Sequence, residues 1–128
     1  MKTSIDTRFF RAGVGTVIYN TAGEVALFKR SQHPIGVWQF QQGGIDINED
    51  LTDTLWRELK EEVGLSKNDI SDITELPQWT VHTTANALSN PTKSRLGQAH
   101  EWYFIKLHEA VEIDLQKATE DEASDYRW

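Results

Sequence analysis

The chain has 128 residues, a formal net charge of −7 at pH 7, 38% hydrophobic residues and no cysteine. That length suits one domain with a real core, expected to span residues 1–128. Disulfide and thiolate chemistry are excluded, no apolar run approaches the about 18 residues of a membrane helix, and the acidic balance argues against broad nucleic-acid binding, which needs a basic surface.

The first eleven residues lack the apolar segment of a signal peptide, so a cytoplasmic location is the default expectation, with no membrane partner. Residues 13–19 (GVGTVIY) are β-branched and read as a strand. Asn20-Thr21-Ala22-Gly23 is a turn, and residues 24–30 return as a second strand, so the two together read as a hairpin. Residues 31–36 are loop, and Trp38-Gln39-Phe40 is a short strand that delivers the chain to Gly43. Leu51, Leu55, Leu59 and Val63 recur every four residues beside Trp56, which predicts a helix over 51–63 with that stripe on the core. Asn48 or Asp50 suits its N-cap and Gly64 its left-handed C-cap. Residues 66–71 form a turn, 73–83 an extended segment interrupted at Pro77, and 84–97 a long polar loop. Residues 98–107 alternate as a strand, 109–120 are acidic and ambiguous, and 122–128 read as a last strand. Strands around one amphipathic helix suggest a mixed sheet with helix packed on it.

The chemistry is concentrated on that helix. Glu58, Glu61 and Glu62 stand at i, i+3 and i+4, so their carboxylates share a face. Like charges so spaced repel, and a helix gains nothing from gathering them unless a cation sits there. Hard oxygen donors suit Mg²⁺, with Mn²⁺ sharing the same preference. Taken alone such a run is commonly a solvated face. The complete spacing, with Gly43 and Gly44 upstream and Arg57 placed to pair with Glu49, favours a site. The two glycines let the backbone turn tightly and approach phosphate closely.

From Gly43 to Leu65 the sequence runs G, five residues, Glu49, seven residues, then R-E-L-K-E-E-V-G-L. This resembles the Nudix box at every specified position. The resemblance implies an α/β/α sandwich with a mixed sheet, and metal-dependent cleavage of a phosphoanhydride bond in a nucleoside diphosphate joined to something else. The run W-Q-F-Q-Q-G-G-I (38–45) is similar to the W-Q-F-P-Q-G-G-I of bacterial RNA pyrophosphohydrolases, a branch also described as dinucleoside polyphosphate hydrolases. Arg11, Val14-Gly15, Gly97-Gln98, Trp102-Tyr103-Phe104 and Glu122 in E-A-S-D-Y-R-W continue the similarity. Gln41 departs from it where that branch has Pro, as do Asp46-Ile47-Asn48 and two extra residues before Trp38. The sequence ends at Trp128 where the family continues into a C-terminal helix, so that helix is expected to be lacking.

The resemblance assigns Glu58, Glu61 and Glu62 to metal and catalysis, with Glu61, Glu62 or Glu122 orienting or deprotonating the attacking water. Glu49 and Arg57 then hold the loop and helix in register. Arg11, Arg30, Gln98, Gly43 and Gly44 are the substrate-binding candidates, with Lys29, Lys93 and Arg95 as further cations for a polyphosphate, although a lone surface cation is more often a solvating residue. The four histidines, His33, His82, His100 and His108, lack metal-ligand spacing and read as loop or strand residues; Trp38, Trp56 and Phe40 read as core. The expected substrate is a 5′-triphosphorylated RNA end, gripped without a stable nucleic-acid complex. Alternatives are dinucleoside polyphosphates, (d)NTPs, or an inactive domain that senses nucleotides. No heptad seam sets an oligomeric state.

Overall fold

The computed structural model describes residues 10–31, 36–83, 97–120 and 122–128. Its centre is β1 (Phe10–Tyr19), whose Ala12, Val14, Thr16 and Ile18 alternate into the interior. β6 (Gly97–Leu107) lies parallel to it, with Val14 opposite Glu101 and Ile18 opposite Ile105. On the other side of β1 runs antiparallel β4 (Gln41–Gly44), pairing Thr16 with Gln41 and Gly13 with Gly44. β5 (Ile70–Thr83) completes the order β4-β1-β6-β5 by pairing antiparallel with β6. Its register shifts between Glu75 and Trp79, around Pro77, which has no N–H to give the ladder. A smaller sheet has the order β3-β2-β7, from Trp38–Gln39, Leu27–Arg30 and Ala123–Arg127.

The hairpin expected from residues 13–30 is corrected by this arrangement. Asn20 accepts from the amides of Ala22 and Glu24 and turns the chain, and Tyr19 bridges Val25. Beyond Ala26, whose amide donates to Ile18 at 2.8 Å, the second strand leaves β1 and joins the other sheet. The pull is burial: Phe28 is in the core and meets Tyr126 of β7.

α1 (Leu51–Glu58) starts at Asp50, whose side chain accepts from the Asp53 amide. Asn48 instead sits in the preceding turn with φ 64°. The helix runs to Val63 as expected, but residues Leu59–Val63 widen into a π turn closed by Gly64 at φ 75°. Leu55, Leu59 and Val63 are buried in a core with Val14, Ile18, Phe28 and Ile105, and Leu51 and Trp56 pack on its margin. Trp38 and Phe40, expected in the core, are half-buried: Arg127 lies 4.3 Å over the Trp38 ring, and Phe40 faces a pocket. Two 3₁₀ turns, Lys67–Asp69 and Leu115–Lys117, connect the remaining elements. The architecture is α/β, a mixed sheet with the acidic helix packed on one face, and among the described residues no helix is long and apolar enough to cross a membrane.

Leu59 is fully buried, so Leu59→Ala should cost about 2–5 kcal/mol by the lost transfer energy and the cavity left behind. Urea denaturation midpoints measure it, and an unchanged midpoint would refute this helix orientation.

Candidate active site

Arg57 joins the glycine loop to the helix. Its guanidinium donates to both carboxylate oxygens of Glu49, at 2.7 and 2.9 Å, and to the Gly44 carbonyl at 2.8 Å. Nη1 reaches Glu58 at 2.8 Å and Glu61 at 3.0 Å. Asp46 lies 3.4 Å away. The spacing of eight between Glu49 and Arg57 therefore forms the ion pair the sequence suggested, and one planar fork satisfies several acids at once. Arg57 holds the Glu49 carboxyl down at about 2, through its hydrogen bond and helped by Thr54. Thr54 donates to Glu49 at 2.6 Å.

Glu58 and Glu62 are the buried acids of the helix, 6% and 8% exposed. Gln41 donates to Glu62 at 3.0 Å, and the Glu62 carboxyl is also hydrogen-bonded with Glu122 and Glu58. Burial pushes Glu62 up to about 10, with Glu122 and Glu58 adding to the rise and Gln41 opposing it. Burial raises Glu58 as well, against the pull of Arg57. Glu122 comes from just before β7 and is held 3.4 Å from Arg30 at the end of β2. Two carboxyls from one helix and a third from sixty residues later are thus brought together, while Glu61 turns toward Arg57.

An open cleft of about 570 Å³ lies over this cluster. Glu58, Glu62 and Glu122 line it together with Arg30, and Gly43 and Gly44 form part of its wall. Arg11 and Gln98, opposite each other on β1 and β6, complete it. Arg11, Arg30, Gln98, Gly43 and Gly44 all reach this one cleft; Lys29, Glu61, Glu49 and Arg57 stand outside its lining. Gly43 is required by close approach, since a Cβ there would collide with the Glu58 side chain. Next to the cleft a smaller pocket of about 290 Å³ is walled by Phe28, Phe40 and Val63 and shares Arg30, Glu62 and Glu122. Lys93, Arg95, His33 and the 84–96 part of the polar loop lie outside the described residues.

Sequence reasoning missed Gln41 and His100 at the site. His100 was legible in part: strand alternation puts it on the face of β6 that carries Gln98. Its imidazole is buried beside His82, with near-parallel rings 6.4 Å apart, and is held down at about 4 by burial, then by His82 and Arg11. It is uncharged at neutral pH.

Residues 9–128 match the family model described as NUDIX domain. The chain belongs to the Nudix family. It is similar to the RNA pyrophosphohydrolase of Pseudoalteromonas translucida, 37% identical over 97% of this chain and 73% of that protein. The RNA pyrophosphohydrolase of Coxiella burnetii is also 37% identical, over 97% of this chain and 56% of its own length. Among solved structures, the Escherichia coli dihydroneopterin triphosphate pyrophosphohydrolase superposes with a TM-score of 0.70 at 19% identity, covering 94% of this chain and 82% of that one. A Caenorhabditis elegans Ap4A hydrolase gives 0.61 at 22%, covering 91% and 77%. These two likenesses establish the fold. The protein is a Nudix hydrolase, acting on phosphoanhydrides.

Nudix hydrolases generally use a divalent metal. Among the described residues no three acids already stand at the geometry of a metal site. The donor set nevertheless fits one. Glu58, Glu62 and Glu122 are oxygen donors that line one cleft, and hard oxygen donors are what a divalent cation takes.

The Glu49–Arg57 pair has a pH signature. Glu49 is depressed from 4.5 to about 2, so its contribution is complete above pH 4.5 and is lost as pH falls toward 2. Urea midpoints of the wild type should drop more steeply across that window than those of Glu49→Gln, which has no such group to protonate.

Proposed function

We propose that this Nudix hydrolase removes pyrophosphate from 5′-triphosphorylated RNA, using Mg²⁺, with Mn²⁺ able to take the same donors. The observation that carries the reading is one cleft in which Glu58, Glu62 and Glu122 face Arg11, Arg30 and Gln98. The sequence relatives named RNA pyrophosphohydrolase support the choice of substrate. Glu58 and Glu62, which line the cleft, would hold the metal with Glu61 from the same helix, beside Glu122 and a backbone carbonyl near Gln42-Gly43. Bound there, the metal supplies Lewis-acid neutralisation of the phosphate oxygens.

The chain's own residues do the rest. Arg30 and Arg11 bind the phosphate chain as charge-assisted donors. Gly43 and Gly44 let backbone approach it. Water attacks one phosphorus, its proton passes to a carboxylate, and the bond to the leaving oxygen breaks to release pyrophosphate and a 5′-monophosphate end. Glu61, Glu62 and Glu122 are the candidate acceptors. Glu49 and Arg57 keep Gly44 and the helix in register. A net charge of −7 suits contact with the end of a strand rather than a long stretch of backbone, so no stable nucleic-acid complex is expected. The reaction belongs in the cytoplasm, where nascent RNA ends arise.

Glu62→Gln should lower turnover at least about a hundredfold, the scale for removing a metal-binding or general-base carboxylate. Release of pyrophosphate is measured on a triphosphorylated RNA oligonucleotide beside diadenosine polyphosphates and free nucleoside triphosphates. RNA turned over best is the expected outcome. A preference for a small nucleotide would move the substrate and keep the chemistry, and wild-type protein inert on all of them would leave a nucleotide-sensing domain.

A further inference from the structure

Gln41 and Thr16 face each other across the β4–β1 pair, and both are buried, 4% and 1% exposed. The Thr16 hydroxyl donates to Gln41 Oε1 at 2.7 Å. The amide is held at both ends, its oxygen by the hydroxyl and its NH₂ by an acceptor carboxyl. With its oxygen turned to Thr16, the NH₂ group faces the opposite way, and Nε2 donates to Glu62 Oε2 at 3.0 Å. An unanchored amide would be equally free to present its oxygen, which repels a carboxylate. The carboxyls of Glu58 and Glu122 line the same cleft beside Glu62. A carboxylate that accepts one donor on Oε2 keeps lone pairs for a cation.

We propose that Gln41 is a positioning residue for metal binding: anchored by Thr16, its amide holds the Glu62 carboxyl in the orientation that takes a divalent cation. The inference rests on the reading of Glu62 as a metal ligand. It also gives a role to the position at which this chain departs most visibly from the W-Q-F-P-Q-G-G-I pattern, because proline has no side-chain donor. The relay spans three elements, β1, β4 and the π turn. It ties the orientation of one ligand to the register of the sheet, as outer hydrogen bonds do around other metal sites.

The test is Mn²⁺ affinity of the full chain, by calorimetry and by electron paramagnetic resonance of free Mn²⁺, in Gln41→Leu, Thr16→Val, Thr16→Ser and Glu62→Gln. Gln41→Leu should weaken Mn²⁺ about tenfold, the lower end for loss of an outer hydrogen-bond partner. Its KM for nucleotide at saturating metal should stay within about twofold, since Gln41 is not among the residues lining the cleft. Thr16→Val should weaken Mn²⁺ in the same direction, Thr16→Ser should restore wild-type affinity, and Thr16→Val should add nothing in the Gln41→Leu background. Wild-type affinity in Gln41→Leu, with loss in Glu62→Gln, would overturn the inference and leave the metal assignment standing. Wild-type affinity in Glu62→Gln would remove the assignment and the inference together. Thr16→Val is nearly isosteric, so if Gln41→Leu does not fold, equal affinity in Thr16→Val and Thr16→Ser overturns the proposal on its own.

Discussion

The arrangement depends on keeping several acids together under partial burial. A lone buried carboxylate would neutralise itself or move to water. Here Arg57 stands among Glu49, Glu58 and Glu61, with its remaining donor on the Gly44 carbonyl. It is itself only a quarter exposed, so these are not the weak pairs of an open surface. The same side chain fixes the incoming loop against the helix. Truncating Arg57 would release three acids and one backbone carbonyl, and the glycine wall of the cleft would lose its anchor.

That anchor explains the glycines beside it. Gly43 passes so near Glu58 that a side chain would displace the carboxylate, and Gly44 lies against the Arg11 guanidinium. Gly13, opposite Gly44 on β1, has the Gly43 carbonyl where a Cβ would sit. These positions on two strands bring backbone, cation and acid close together in one place. Flexibility is not their use here; absence of a Cβ is.

The box was legible because its chemistry is local. Glu49, Arg57, Glu58, Glu61 and Glu62 sit within fourteen residues of sequence; helix periodicity places the last four, and Glu49 lies in the loop just before the N-cap. Glu122, Arg11, Arg30 and Gln98 reach the cleft only through strand pairing, which no local pattern encodes; a resemblance to a known branch had to stand in for it. The hairpin reading failed for a related reason. The Asn20 turn is real, but which sheet Phe28 joins is decided by β7, nearly a hundred residues later. The π turn left no composition signal, since Leu59 to Val63 suits an ordinary helix equally well.

The acids and most of the cationic and amide side chains of the cleft come from different elements. The acids come mainly from the helix and its π turn, whereas Arg11, Gln98 and His100 come from adjacent strands of the large sheet. Arg30 and Glu122 link the two parts through the small sheet. A substitution on β6 therefore changes what enters the cleft without moving Glu58 or Glu62, whose placement depends on Arg57 and Gln41. This separation is why a family can keep one reaction across many substrates. On the proposed reading, substrate choice in this chain falls to β1 and β6, where an uncharged imidazole beside Gln98 sets the polarity of the wall facing the acids.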